Sequence, residues 1–537
     1  MNRPMPSFGL ELREMVIPRL LERAARAWGE RTFVHYGEER WSFAQVEEAA
    51  AALAGGLREL GVERGDRVGL FLPNGPAFVN AYFALGKLGA TMVPVNTAYR
   101  GYMLEYLLND TACDVLVVDA TLLDRVLDSA DRLESLQTVV VAGGGAGDGD
   151  ETPWRTVAFD ALAGEPIETD PAVTHADVNC VIYTSGTTGP SKGVPITNAH
   201  GIAKAIEVIR LGELGPDDVI YAPLPLFHSF ALLRGVVLGL VTGGSCALRE
   251  RFSASAFWND VRTTGATFGF CVFSIPQILK KAEPRPDDRD HTLRAFYNAR
   301  HDPEFEQRFR VRCIEAYGLT EAGAAMYVRP GEVPPPGSCG RVSEDWEVRL
   351  VDDDDLDVPV GEVGEIVLRP RFPGLITPGY LNKPEATAEA FRNLWFHTGD
   401  LASVDADGYY TFRDRKKDAI RRRGENVSSW EVEQVLLEHP AVAEAAAIPY
   451  PSPLGEDDVR VVLRLRDGDE LTPEELVEYC VSRMPDFMVP RYVELLPELP
   501  HTPTGRVEKY RLREQPLSPG AYDRGDPREA RLAGGRS

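Results

Sequence analysis

Apolar and polar positions alternate with two different periods along the first half of the chain. Phe43 to Leu60 is alanine-rich with apolar residues at helical spacing, and Arg67 to Leu72 reads as a strand. Ala77 to Leu88 is helical again and Ala90 to Val95 is a short strand. A helix from Gly101 to Asn109 and a strand from Asp114 to Val118 follow. Strands that alternate with helices predict crossover units and a largely parallel sheet covered by helices. The rhythm continues from Ala222 to Gly244 and from Phe252 to Lys281. Around Leu350 it changes to short strands with turns: Glu347 to Val351, Glu365 to Arg369 and Gly408 to Asp414. Beyond the charged run Arg415-Lys416-Lys417-Asp418 comes a compact segment. It holds a helix from Ser429 to Glu438, strands from Val442 to Ile448 and from Val459 to Leu465, and a helix from Thr472 to Arg483.

The predicted fold class is therefore α/β. A large N-terminal domain over 1–413 carries helix-covered, largely parallel sheets and a β-rich subdomain. A hinge follows at 414–418, then a small mobile α+β domain over 419–515 and a flexible tail over 516–537 rich in Gly, Arg and Pro. No internal repeat is visible.

Composition changes this picture little but narrows the partners. With 537 residues, 44% hydrophobic and 26% charged, the chain can bury a large core in more than one domain. A formal net charge of -24 argues against nucleic acid or an anionic membrane surface as the main partner. No apolar run approaches the length of a membrane span, and no basic-then-apolar leader opens the sequence. The seven cysteines form no Cys-x-x-Cys pair and read as reduced, mostly buried thiols of a cytoplasmic protein.

The densest chemistry lies in Tyr183-Thr184-Ser185-Gly186-Thr187-Thr188-Gly189-Pro190-Ser191-Lys192-Gly193. Glycines let successive N–H groups face one concavity that holds phosphate oxygens, and the hydroxyls add donors. Lys192 adds a mobile positive charge suited to a polyphosphate. The apolar run Val178 to Tyr183 places this loop at a strand end. Its spacing is not that of the common P-loop, and the plain alternative is a Gly/Ser/Thr linker.

Three weaker motifs follow in order. In Tyr317-Gly318-Leu319-Thr320-Glu321 an aromatic ring can stack on a flat base and Thr320 can donate to a phosphate. Glu321 there is a hard oxygen ligand for Mg²⁺. Alone, this run also reads as an ordinary strand-turn-helix with a capping acid. Thr398-Gly399-Asp400 reads as a turn whose carboxylate could accept two ribose hydroxyls, although Gly-Asp turns are common. Asp414-Arg415, Lys417 and Arg423-Gly424-Glu425-Asn426-Val427 put fixed cations at the domain boundary, with a solvated linker as the alternative.

Taken together and in this order, the segments resemble the adenylate-forming superfamily of acyl- and aryl-CoA ligases, luciferases and peptide-synthetase adenylation domains. The resemblance runs from Phe43 to Leu512 and includes Pro225-Leu226-Phe227-His228-Ser229-Phe230 and Pro500-His501-Thr502-Pro503-Thr504-Gly505. The stretch Glu283 to Arg300 and the ending Lys509-Tyr510-Arg511-Leu512-Arg513 look most like the carnitine/crotonobetaine-CoA ligase branch.

The resemblance implies a two-step reaction. A carboxylate attacks the α-phosphate of ATP to give an acyl adenylate and pyrophosphate, and a nucleophile, by default the CoA thiol, then displaces AMP. It implies ATP, Mg²⁺ and CoA as cofactors, with small molecules and no nucleic acid as partners. Thr184, Ser185, Gly186, Thr187, Thr188 and Lys192 would hold the β- and γ-phosphates. Tyr317 would pack on adenine, Thr320 would meet the α-phosphate, and Glu321 would meet Mg²⁺. Asp400 would take the ribose hydroxyls with Arg415 beside it, Lys417 would be the hinge, and His228 would stand at the acyl-pocket mouth.

Two departures from the family pattern bear on the substrate. Arg506 stands where relatives carry a lysine bridging the acyl carboxylate and the α-phosphate, and Lys509 follows three positions later. Either could supply the catalytic cation, and arginine prefers planar bidentate partners. Phe296-Tyr297-Asn298-Ala299-Arg300 replaces a run of small residues lining the acyl channel. Bulk there argues for a small or aromatic acid, with Asn298 and Arg300 as pocket candidates. An alternative keeps the adenylation and changes both partners: an ATP- and nitrite-dependent diazotase of a natural-product pathway, acting on an aromatic amine. A degenerate, non-catalytic nucleotide binder is the third class, and intact Lys192, Glu321, Asp400 and Arg415 speak against it.

Overall fold

The computed structural model describes residues 10–144, 152–184, 190–271, 274–415, 419–452, 456–466, 468–500 and 507–525. The chain divides into two compact units. One comprises 1–97, 107–182 and 193–414; the other comprises 98–106, 183–192 and 415–537.

The helices and strands of the first half lie where the apolar periodicity puts them. The helix Phe43–Leu60 starts at a capping box between Ser42 and Gln45 and stops at Gly61, whose left-handed backbone closes the last turn. Strands Arg67–Phe71, Thr91–Pro94, Val115–Asp119, Thr138–Ala142 and Arg155–Ala158 pair in parallel, with helices Pro76–Leu88 and Tyr102–Thr111 in the crossovers. With Val178–Thr184 and Lys192–Thr197 they make a seven-stranded sheet. A second seven-stranded sheet runs Arg312–Ile314, Ala295–Tyr297, Phe268–Phe270, Val219–Ala222, Ser245–Leu248, Thr32–Tyr36, Glu39–Ser42. It is parallel except for the Thr32–Tyr36 and Glu39–Ser42 hairpin. The inner strands of both sheets read as near-continuous apolar runs because they are buried on both faces. All seven cysteines are buried free thiols, and burial pushes the Cys180 thiol up to about 12. Among the described residues no helix is long and apolar enough to cross a membrane.

The third sheet of this unit is antiparallel and begins earlier than the sequence pattern suggests. Its order is Ala316–Gly318, Ala324–Tyr327, Ser338–Val342, Tyr410–Arg415, Phe396–Val404, Val363–Pro370, Trp346–Val351. The segment after Glu321, which read alone also fits the start of a helix behind a capping acid, turns back as the strand Ala324–Tyr327 and pairs with Ala316–Gly318. Runs of three and four residues are too short for alternation to reveal.

The other unit carries the hairpin Ala419–Arg422 and Glu425–Ser428, and a sheet ordered Val442–Pro451, Asp457–Leu465, Tyr492–Leu495, Tyr522–Asp523. Helices Ser429–Leu437 and Pro473–Val481 are each capped at the N-terminus, by Ser428 and Thr472. The tail expected to be flexible from Pro516 is instead held as far as Gly525. Tyr522 and Asp523 pair with the edge strand Tyr492–Leu495. The buried guanidinium of Arg460 also donates to the carbonyls of Leu512 and Gln515 at 3.2 and 2.7 Å. A buried arginine needs acceptors for all its donors; Glu494, these two carbonyls and, from the tail, the carbonyl of Pro516 at 3.4 Å supply them.

Candidate functional site

The ring of Tyr317 and the carboxylate of Asp400, 83 residues apart in sequence, meet: the tyrosine hydroxyl donates to Oδ2 at 2.8 Å. Both side chains are 8% exposed. Asp400 reaches this position through a break in strand register. The segment Thr398-Gly399-Asp400, expected as a turn, lies inside the strand Phe396–Val404, whose pairing shifts between Glu365 and Val367 of its neighbour. Gly399 takes φ +70° there, and bulges of this kind re-aim side chains. The Gly399 N–H donates to Glu365 at 3.1 Å and the Asp400 N–H to Thr398 Oγ1 at 3.1 Å, so the bulge is pinned on both sides. Phe412 stacks beside Tyr317 with ring centroids 6.4 Å apart and remains 42% exposed. A large exposed aromatic next to a buried tyrosine offers a flat apolar face. Phe412 was missed, although strand alternation with Tyr410 could have flagged it.

Thr320 and Glu321 sit on the loop between strands Ala316–Gly318 and Ala324–Tyr327. The two strands approach so closely that a Cβ on Gly318 would lie 2.6 Å from the carbonyl oxygen of Gly323. The Glu321 carboxylate accepts the Tyr380 hydroxyl at 3.0 Å, and its main-chain carbonyl accepts the Thr377 N–H at 2.7 Å. Burial, reinforced by the Glu321 charge, raises the Tyr380 hydroxyl far above its ordinary pKa, so it stays a donor. Tyr380 escaped the sequence reading; its signal is the Pro378-Gly379 turn placed just before an aromatic residue.

The phosphate-loop candidates are only partly visible. Thr184 ends the strand Val178–Thr184, and its hydroxyl lies 3.5 Å from the carbonyl oxygen of Lys192, which opens the strand Lys192–Thr197. Ser185, Gly186, Thr187 and Thr188 lie outside the described residues, as do Lys417 and Arg506. Arg415 ends the strand Tyr410–Arg415, and its side chain is likewise outside them. Lys509 opens the helix Lys509–Glu514, and its ammonium is engaged by Glu433 at 2.6 Å and Ser429 at 3.1 Å.

The acyl-pocket candidates separate. His228 immediately precedes a helix running from Ser229 to Thr242, whose middle turn, Leu232–Val236, is widened to π geometry. Such turns often mark functional positions. Phe230 from this helix packs against Phe270 and Tyr297, with centroids 5.7 Å away in each case. Tyr297 faces the same way and donates its hydroxyl to Glu207 at 2.6 Å. Its neighbour Phe296 does not narrow that space: it points to the opposite face of its strand, against Phe257 and Phe305. Asn298 has a left-handed backbone at φ +62° and donates weakly to the Cys271 carbonyl at 3.4 Å. Arg300 is exposed and lies in the electrostatic field of Glu315. The bulk expected along Phe296 to Arg300 therefore reduces to Tyr297, because strand alternation sends adjacent side chains to opposite faces.

Among the described residues no group of three or more His, Cys, Asp and Glu side chains could hold a metal by itself. A single carboxylate such as Glu321 suits Mg²⁺, which takes one or two protein oxygens and completes its shell with phosphates and water.

The AMP-binding enzyme family matches residues 21–381, and the AMP-binding enzyme C-terminal domain matches residues 431–506. The crotonobetaine/carnitine–CoA ligase of Salmonella paratyphi A is 31% identical over 88% of this chain and 93% of its own length. Among solved structures, an o-succinylbenzoate CoA synthetase double mutant from Bacillus subtilis, bound with a product analogue, has a TM-score of 0.79. It is 25% identical and covers 93% of this chain and 98% of its own. The anthranilate CoA ligase AuaEII in complex with anthranoyl-AMP has a TM-score of 0.70, with 27% identity over 98% of this chain and 99% of its own. The amide bond synthetase McbA from Marinactinospora thermotolerans has a TM-score of 0.78, with 25% identity over 92% and 99%.

Proposed function

Because the chain belongs to the AMP-binding enzyme family and is an adenylate-forming ligase of the acyl-CoA synthetase type, we propose that it activates a small or aromatic carboxylic acid and passes the acyl group to the thiol of CoA. In the first step a carboxylate oxygen forms a bond to the α-phosphorus of ATP, and the bond to pyrophosphate breaks. In the second, the thiol sulfur attacks the acyl carbon, loses its proton, and AMP leaves. A bare carboxylate is a poor electrophile, and the mixed anhydride gives it a good leaving group.

The observation that carries the reading is the Tyr317–Asp400 pair, with Phe412 open beside it, on the sheet whose first hairpin bears Thr320 and Glu321. Adenine packs on the Tyr317 ring, and Asp400 accepts from the ribose hydroxyls, a role a carboxylate fills while keeping the tyrosine bond. Thr320 donates to the α-phosphate. Magnesium, when bound at Glu321, neutralises charge developing on the phosphates; Tyr380 orients that carboxylate. Lys192 and the loop from Thr184 to Thr188 hold the β- and γ-phosphates, and Arg415 stands near the ribose. Lys417 is the point at which the chain bends between the two steps. His228 faces the acid. Phe230, half-buried and backed by the buried rings of Phe270 and Tyr297, supplies aromatic surface that favours a flat or short acid over a long alkyl chain. That preference agrees with the aromatic acids named for two of the similar structures.

A pyrophosphate-release screen tests this. Aromatic and short acids should support turnover with CoA, and long-chain acids should not. Nitrite as the acid and aryl amines as acceptors form separate arms. Lys192→Ala and Glu321→Ala should each lower release by about 100-fold or more; Glu321→Ala also leaves the Tyr380 hydroxyl without its acceptor and should lower the melting temperature. Release within a few-fold of the parent in both variants would remove these residues from the site.

A further inference from the structure

Lys204 and Glu207 are among the buried charged side chains that the proposed chemistry leaves unused. The two stand three residues apart on the helix Asn198–Gly212, so they project from one face. They are only 1% and 5% exposed. Lys204 Nζ donates to the carbonyl of Leu319 at 3.1 Å and also to that of Ala322. Glu207 Oε2 accepts the N–H of Ala324 at 2.5 Å, and its Oε1 accepts the Tyr297 hydroxyl at 2.6 Å. Leu319, Ala322 and Ala324 bracket Thr320 and Glu321. One helix turn thus grips both ends of the loop by its main chain, a lysine amine on two carbonyls and a carboxylate on an amide.

This is an expensive way to fill a core. Burying an ammonium is costly unless its hydrogen bonds are met, and burial, aggravated by Arg234, drives the Lys204 pKa far down. An apolar residue of the same length would avoid that cost, but it would take the lysine's donors away from the Leu319 and Ala322 carbonyls. Glycine at 323 fits the same arrangement, since a Cβ there would come within 2.6 Å of Glu207 Oε2.

We propose that Lys204 and Glu207 are positioning residues that fix the Leu319–Ala324 loop so that Thr320 and Glu321 are aimed before nucleotide and magnesium arrive. The link to magnesium rests on the role given above to Glu321; the grip on the loop does not. Lys204→Met keeps length and volume and removes the donor. In the ligand-free protein, hydrogen exchange at the amides of Ala322 and Ala324 should quicken by about 10-fold or more, while strands Val219–Ala222 and Ser245–Leu248 keep parental protection. The magnesium concentration for half-maximal pyrophosphate release should rise about 10- to 100-fold, the usual effect of removing an outer-shell partner. In a Glu321→Gln background the same substitution should change the rate by less than about threefold, because coupled residues are not additive. Lys204→Gln, which retains N–H donors, should recover part of the loss; it also carries the same measurements if Lys204→Met does not fold.

Parental exchange at Ala322 and Ala324 overturns the proposal, whether or not the protein turns over. Quickened exchange with an unchanged magnesium response, or with additive effects in the double variant, overturns its connection to Glu321. A parent protein that releases no pyrophosphate with any acid counts against the adenylation reading, and the exchange measurement still decides the loop.

Discussion

At the scale of single residues, Lys509 separates two candidate cations that the sequence left equal. Its ammonium is held by Glu433 and Ser429 within its own unit. Glu433 is itself buried enough for its carboxyl to be raised, with Lys509 as the charge that counters this. A lysine committed to a structural pair is poorly placed to bridge a carboxylate and a phosphate, which supports Arg506 in that role. Arg506→Ala should therefore lower adenylate formation by about 100-fold or more, and transfer from a preformed adenylate should persist. Lys509→Ala should leave adenylation within a few-fold of the parent and lower the melting temperature. Single-turnover assays of the two half-reactions check both; the reverse order would return the role to Lys509. The wording of the Asp400 and Tyr317 motifs was legible in the sequence, but their hydrogen bond was not, because it spans three strands of a sheet whose order no local pattern states.

At the scale of elements, the hairpin carrying Thr320 and Glu321 depends on the absence of a side chain at Gly318. A methyl group there would sit 2.6 Å from the Gly323 carbonyl oxygen, which is backbone and cannot rotate away. Gly318→Ala should force the strands apart, loosen the loop and depress adenylation along with stability, by about 1–3 kcal/mol as for overpacking elsewhere. Urea unfolding followed beside pyrophosphate release measures both. Full stability with full activity would show that the hairpin tolerates the shift. The long elements of the parallel sheets were legible because their apolar periodicity extends over many residues and helices cover them. The Tyr317 hairpin and the Gly399 bulge were not, since strands of three and four residues and local register breaks leave no period to read.

At the scale of the whole molecule, buried histidines set a pH dependence of stability. The His35 imidazole is held down to about 4, chiefly by burial and then by the charges of Arg40 and Arg249. Its Nδ1 accepts from Arg40 at 2.6 Å, and its Nε2 lies 3.2 Å from the Ser245 hydroxyl. His200 is held well below its ordinary value by burial, with Lys204 and Arg234 adding repulsion. In the unfolded chain each imidazole gains a proton near its usual pKa of about 6.5, whereas the folded state resists. These groups contribute their full stability above about pH 6.5, and it is lost as pH falls toward about 4. Denaturation midpoints should decline across that window, and His35→Gln should flatten the decline. An equal slope in parent and variant would show that His35 is not among the groups responsible. The same scale marks the limit of sequence reading. Composition, apolar period and ordered motifs determined the α/β class, the family and the residue types available for chemistry, because each is carried by neighbours along the chain. Tertiary structure alone decided which of those residues meet. Asp400 reaches Tyr317, Tyr380 reaches Glu321, and Lys204 with Glu207 reaches the loop between them. Contacts between residues so far apart in the chain come from sheet order and helix packing, and these are settled by burying apolar faces against one another rather than by any local signal.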